Sequence, residues 1–254
     1  MTCKKEYITS RQNPLMTHIR KLASSASYRR QKGEYLGDGV KLLEEALRWA
    51  AELTVVVTTQ QVEPNLPEGV RHVVVPEDVM RSVSPSDTPQ GALFLASRPT
   101  TDLPENLGGS RYLILDGVQD PGNVGTIWRT ADAFGADGLI LLAGCADPFS
   151  PKVVRATMGA AFRLPVYVTS IDVLQERLLR EEIPLWATAL RADAEDVRRA
   201  ELDRCAVVIG SEGRGVSPQV LEKCERAFLI PMRERCESLN AAVAAGVVLW
   251  EMFR

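Results

Sequence analysis

Apolar positions along the chain recur in two rhythms. Asn13-Pro14 opens a stretch of helical spacing that predicts a helix to about Arg30, with Pro14 in the first turn, where its missing N–H is no loss. A second helical stretch runs from about Gly39 to Ala51. Short apolar runs then read as strands at 53–59 (LTVVVTT), 71–75 (RHVVV) and 92–97 (ALFLAS), alternating with polar or helical stretches. Residues 1–99 thus read as a small α/β domain. RPTTDLPENLGGS, ending at Ser110, concentrates Pro, Gly and polar residues and makes 100–110 a linker. From 111 to 254 the rhythm becomes regular. Strands are expected at 112–116, 138–142, 165–169, 185–190, 206–210 and 227–230, and helices at 123–135, 151–160, 171–181, 217–226 and 239–253. Alternation of this kind means a mostly parallel sheet covered on both faces, with ligands gathering at the carboxyl ends of its strands. LILDGVQDPGN, VVIGSEGRG and FLIPMRERCESLN all sit at such ends, so three candidate loops converge on one edge.

Composition narrows the class of protein. At 254 residues, 45% hydrophobic and 25% charged, the chain suits a soluble protein with a sizeable core. The longest apolar run, Ala241 to Trp250, is about half a bilayer span, and the N-terminus is polar, so a cytoplasmic location is expected. The five cysteines form no CxxC pair and the only histidines are His18 and His72, which argues against a metal site. Charge is unevenly spread: Met1 to Lys32 holds eight basic residues against Glu6 alone, so this stretch carries +7 and the remainder −10 against a net −3. A basic arm on an acidic body marks contact with a polyanion, with a solvated helical N-terminus as the plainer alternative. Arg11, Arg20, Arg29 and Arg30 are its candidate phosphate contacts.

Three loops carry the candidate chemistry. In LDGVQDPGNVGTIWRTADAFGA, Asn123 is placed to cap a helix whose apolar stripe is Val124, Ile127, Ala131 and Phe134, and Arg129 points away from that stripe. VVIGSEGRGVS follows an apolar strand with Gly210, Gly213 and Gly215. Its glycine spacing is that of neither a dinucleotide fingerprint nor a P-loop, and Glu212 would repel phosphate. That carboxylate suits a ribose or an ammonium group, or a structural pairing with Arg214. In IPMRERCESLNAAVAAG, Ser238 or Asn240 starts the last helix, which is apolar on nearly all sides and so is buried in the core or against a partner subunit.

Together these segments resemble the three motifs of the SpoU (TrmH) family of RNA ribose 2′-O-methyltransferases, in the SPOUT superfamily. Asn123 and Arg129 fall in DPGNVGTIWRTA, Glu212 in IGSEGRGV, and Ser238 and Asn240 in IPM…ESLNAAVA. DPFSPKVVRATMGAAFRLPV, between them, is also similar to the family, and ITSRQNPLMTHIRKL with GVKLLEEAL more loosely resembles the RNA-binding domain found in many members. Two positions depart from the pattern: Glu234 stands where the third motif has a glycine, and Asp38-Gly39 replaces a Glu-Gly pair.

The resemblance implies a SPOUT-type α/β domain with a deep trefoil knot, a homodimer with the active site at the subunit contact, and S-adenosylmethionine as cofactor. That cofactor has a positive sulfonium and no phosphate, which suits a loop holding Glu212. Carried over, its site would include Thr188, Ala189, Leu190, Gly210, Ile230 and Leu239. Arg129 would stabilise the developing alkoxide and grip the adjacent phosphate, because its high pKa makes a general-base role awkward. Asn123, Ser238 and Asn240 would position the ribose and Arg129, and Glu212 would order the loops. Ribosomal RNA is the expected substrate. Transfer RNA, and a catalytically silent RNA-binding protein of the same fold, are the alternatives.

Overall fold

The computed structural model describes residues 5–189, 193–233, 235 and 238–254. In chain order it runs β1 (Lys5–Tyr7), α1 (Pro14–Ser24), α2 (Ala26–Lys32), β2 (Glu34–Asp38), α3 (Val40–Arg48), β3 (Leu53–Thr58), β4 (Arg71–Val74), α4 (Glu77–Val83) and β5 (Ala92–Ser97). It continues with β6 (Arg111–Asp116), α5 (Pro121–Phe134), β7 (Gly138–Leu141), α6 (Pro151–Ala156), β8 (Val166–Val168), α7 (Ile171–Arg180) and β9 (Leu185–Thr188). The last elements are β10 (Glu195–Asp196), β11 (Cys205–Gly210), α8 (Pro218–Leu221), β12 (Arg226–Leu229) and α9 (Ala241–Phe253). The chain gathers into two compact units, one of residues 1–99 with 147–162, the other of residues 100–146 with 163–254. The segment carrying α6 therefore packs with the N-terminal residues, which its place in the sequence does not reveal.

The first unit holds a sheet of strand order β1-β4-β3-β5-β2. Strands β1, β4 and β3 are parallel, and β5 runs antiparallel to both β3 and β2. Leu15, Met16, Ile19 and Leu22 of α1 are buried in one cluster with Val57, Val73, Leu93 and Leu95 of the sheet and with Val79 and Met80 of α4. Each such side chain contributes about 1.5–3 kcal/mol by leaving water.

Two expectations need correction here. The helix foreseen to Arg30 is two helices, because Ser25 is extended (φ −124°, ψ 113°) and its hydroxyl accepts the Tyr28 N–H, capping α2 instead of continuing α1. The N-terminal arm is not a solvated helix from its start. Lys5 to Tyr7 form an edge strand paired with His72 to Val74, and Glu6 and Lys5 pair with Arg71 and Glu63. Strand β2 was also not foreseen; EYLGD lacks the period-two alternation, since α1, α3 and α6 all pack against it and four of its five residues are buried.

The second unit holds a sheet of order β10-β12-β9-β11-β6-β7-β8 in which every recorded neighbour pair is parallel. Strands buried on both faces read as continuous apolar runs, as LILD and AVVI do. Tyr112, Ile114, Ile140 and Val208 pack with Leu174 and Leu178 of α7 in one cluster. Helix α5 packs against α9, and Trp128 of α5 is buried with its indole N–H donating to the Leu164 carbonyl at 3.1 Å. Among the described residues no helix is long and apolar enough to cross a membrane.

Candidate functional site

The carboxyl ends of β12, β9, β11 and β6 lie side by side, and a cavity of about 500 Å³ opens there. Of the residues expected to hold a cofactor, Thr188, Ala189, Gly210, Ile230 and Leu239 line it; Leu190 lies outside the described residues, as does Glu234. Glu212 and Ser238 line it too. Its walls further include Ile209, Leu221, Phe228, Leu229 and Met232, and Ala241 and Ala244 from the first turns of α9. Sequence reasoning missed these because an apolar residue at the end of a strand or within a helix looks like any other core residue.

The glycine loop takes its shape from its own backbone. Ser211 and Gly215 exchange N–H···O bonds of 3.1 and 2.9 Å, closing a tight turn in which Gly215 has φ +66°. Gly210 must lack a side chain for a different reason. A Cβ there would lie 2.0 Å from the Gly215 carbonyl carbon and 2.1 Å from the Val216 nitrogen. The far end of the loop is tied down by Asp116, the buried carboxylate ending β6, which accepts the Ser217 N–H at 2.7 Å. Thr188 cross-links β9 to β11 by donating its hydroxyl to the Val208 carbonyl at 2.9 Å.

Asn123 is not the helix cap it was expected to be. Asp120 caps α5, with Pro121 in the first turn, and its carboxylate accepts the Asn123 N–H at 2.8 Å. A carboxylate preceding Pro121 outcompetes an amide placed three residues later, and the Asn123 side chain is thereby free for other work. Asn240 does cap its helix: its Oδ1 accepts the N–H groups of Ala242 and Val243 at 2.9 and 3.3 Å. With that oxygen committed, its Nδ2 turns outward and donates to Asn123 Oδ1 at 3.1 Å. The Asn123 Nδ2 then faces Glu212 and donates to its carboxylate. One helix cap thus sets the orientation of two amides and a carboxylate drawn from three separate segments of the chain.

Arg129 is not among the cavity-lining residues. It is exposed on the face of α5 away from buried Val124, Ile127 and Ala131, as the helical spacing implied, and no acid among the described residues pairs with it. Cys145 and Cys205 are unsuited to nucleophilic roles, because burial pushes their thiols up to about 11 and about 12. Among the described residues, no group of three or more His, Cys, Asp and Glu is arranged to hold a metal.

In the first unit the expected phosphate contacts divide. Arg29 is buried, where its guanidinium binds Asp147 and donates to the Leu22 and Ala23 carbonyls, so it caps α1 and cannot reach a ligand. Arg20 donates to Ser82 and to the Arg11 carbonyl, and Arg11 pairs with Asp78 at 2.7 Å. Arg30 alone of the four is exposed with no acid among the described residues paired to it.

The model of the SpoU rRNA Methylase family matches residues 110–250, and that of the MRM3-like substrate binding domain matches residues 13–93. A 23S rRNA (guanosine(2553)-2′-O)-methyltransferase, RlmP, of Bacillus subtilis is 32% identical over 227 residues, covering 88% of this chain and 90% of its own. The crystal structure of an AdoMet-bound rRNA methyltransferase from Sinorhizobium meliloti matches with a TM-score of 0.85 at 31% identity, over 98% of this chain and 97% of that one. The SpoU methyltransferase AviRb from Streptomyces viridochromogenes, in complex with AdoMet, matches with a TM-score of 0.85 at 25% identity, over 95% and 97% of the two chains. With the fold, the three converging loops and both sequence segments in agreement, this chain belongs to the SpoU rRNA Methylase family.

Proposed function

We propose that this protein methylates a ribose 2′-hydroxyl of ribosomal RNA, using S-adenosylmethionine held in the cavity at the ends of β9, β11 and β12. The observation that carries this reading is the Glu212–Asn123–Asn240 chain beside that cavity. The cavity suits the cofactor. Its volume is that of a small-molecule site, its apolar walls accept a heteroaromatic ring, and Glu212 complements a sulfonium. Among the described residues lining it Arg214 is the sole cation, so it offers no cluster for phosphates.

When bound, the cofactor supplies an electrophilic methyl group. The chain's own residues align the attacking oxygen, and positioning of this kind is worth several kcal/mol of barrier. Asn123 and Asn240 orient the ribose together with Ser238, and Glu212 holds the glycine loop against α5. Arg129 stabilises negative charge on the ribose oxygen and contacts the neighbouring phosphate.

Because Arg129 lies off its own cavity, we assign it to the site of a second subunit. A homodimer is supported by the face of α9 that the core leaves uncovered: Val243 and Trp250 are 53% and 60% exposed, and Val247 lies between them on the same stripe. We further read residues 1–99 as the RNA-binding domain, residues 111–254 as the catalytic domain containing the trefoil knot, and the location as cytoplasmic.

The test is transfer of labelled methyl from S-adenosylmethionine to RNA from cells lacking this protein, with Arg129→Ala and Asn123→Ala as controls. Label in ribosomal RNA, at an initial rate strongly reduced in both variants and partly restored when the two variants are mixed as a heterodimer, supports the whole reading. Label in transfer RNA would move the substrate, and no label with no cofactor binding would leave an RNA-binding protein without activity.

A further inference from the structure

We infer that the face formed by α1 and α2 binds the RNA phosphodiester backbone through Lys21 and Lys32, grouped about the ring of Tyr28, together with the exposed Arg30 of α2. This rests on the reading of the protein as an RNA methyltransferase; of the arginines that pattern reading selects it keeps Arg30 alone and adds two lysines in place of Arg11, Arg20 and Arg29. From Tyr7 to Gly33 the sequence contains no Asp or Glu. Lys21 Nζ and Lys32 Nζ lie 5.6 and 5.8 Å from the Tyr28 ring centroid, and Lys21, Arg30 and Lys32 are all exposed. None of the three forms an ion pair with an acid among the described residues. Glu34, the nearest acid in sequence, is engaged by His18 at 2.9 Å and by Thr54 at 3.0 Å.

Cations in the last turn of a helix commonly serve only its dipole and its free carbonyls. Here that task is taken by other groups. Arg29 accepts the role for α1 by donating to the Leu22 and Ala23 carbonyls, and the Gly33 N–H donates to the Arg29 and Arg30 carbonyls at the end of α2. Tyr28 is fixed by a 2.9 Å hydrogen bond between its hydroxyl and His18 Nδ1, so the ring is a rigid post that keeps the two ammonium groups near each other. Both ammonium groups lie within about 6 Å of that ring's centroid, so what this face presents to a ligand is positive charge. The surface therefore recognises backbone charge and carries no sequence choice.

The experiment is fluorescence anisotropy of a labelled RNA hairpin across a salt series, with the full chain. Replacing Lys21, Arg30 and Lys32 together by Gln is expected to lower the slope of log K against log salt by about 2 to 3, at about 0.7–0.9 per lost contact. The matched control replaces Arg48, Arg71 and Lys223, which are paired with Glu45, Glu6 and Asp172, and is expected to leave the slope near wild type. Lys21→Arg with Lys32→Arg, which keeps the charge, is expected to restore it. Equal slopes for the Gln variant and wild type would overturn the inference, as would an equal loss in the control or equally tight binding of polyglutamate. Calorimetric cofactor binding and methyl transfer by the wild type are measured alongside. Their presence with an unchanged slope sinks only this surface, whereas their absence sinks the enzyme reading.

Discussion

Gly210→Ala offers the sharpest test of how the site is built. The added Cβ would meet the Gly215 carbonyl carbon at 2.0 Å, the Val216 nitrogen at 2.1 Å and the Gly215 oxygen at 2.4 Å. All three are main-chain atoms, so no side-chain rotation relieves the overlap. Reaching an ordinary separation of about 3.5 Å requires the returning strand of the loop to retreat by about 1.5 Å. That movement breaks the two Ser211–Gly215 hydrogen bonds, worth about 1 kcal/mol each, and draws Glu212 away from Asn123, a charge-assisted bond worth about 1.5–3 kcal/mol. Part of this is recovered by water, so a net cost of about 3 kcal/mol is expected, and at about 1.4 kcal/mol per factor of ten the cofactor affinity should fall about a hundredfold. Gly213→Ala is the internal control for folding, since a Cβ there meets no atom of the chain within 4 Å and the backbone is not left-handed, although Gly213 itself lines the cavity. It should stay within about 0.5 kcal/mol of wild type. Titration calorimetry with S-adenosylmethionine, paired with thermal melts, reads both variants. Wild-type affinity in Gly210→Ala, or an equal loss of thermal stability in Gly213→Ala, would refute the reasoning.

Four further outcomes follow from the same geometry. Asn123→Ala and Asn240→Ala should each reduce kcat by about tenfold to a hundredfold, and the double variant should lose clearly less than the product, which a double-mutant cycle measures. Asp147→Asn should destabilise the first unit by about 3–5 kcal/mol in denaturant unfolding, because it strands the buried Arg29 guanidinium, and Arg29→Met should cost less. Native Cys145 and Cys205 should resist iodoacetamide at pH 8, where a thiol held at about 11 is only about one part in a thousand thiolate, and should react readily once unfolded. Burial, then the Lys5 charge, lowers the His72 pKa below its ordinary 6.5. The folded state therefore binds fewer protons than the unfolded chain, so stability is complete above pH 6.5 and declines as pH falls through and below that value. His72→Gln should flatten that decline in urea titrations, and an unchanged slope would assign it to other groups.

Much of this protein was legible in one dimension. Strand runs such as LILD and AVVI announce a parallel sheet because strands covered on both faces have no polar side to alternate. Asn13 and Asn240 announce their helices because capping is a local bond between a side chain and an amide two or three residues on. Placement of three motifs at strand ends predicted one shared site, since parallel strands put all their carboxyl ends on one edge. Other features depend on distances that no local rule contains. Arg29 reads as an exposed basic residue until Asp147, 118 positions away, is brought against it. Asn123 reads as a cap until Asp120 takes that role and Glu212 and Asn240 arrive from loops 89 and 117 residues distant. Gly210 reads as a glycine kept free for a ligand, yet what stands against it is the chain's own return at Gly215. Local sequence determined the elements and their order, because hydrogen bonding and side-chain period act over a few residues. Only the tertiary structure decided which charges were spent inside the fold and which were left facing solvent, because pairing depends on what the folded chain brings within about 3 Å.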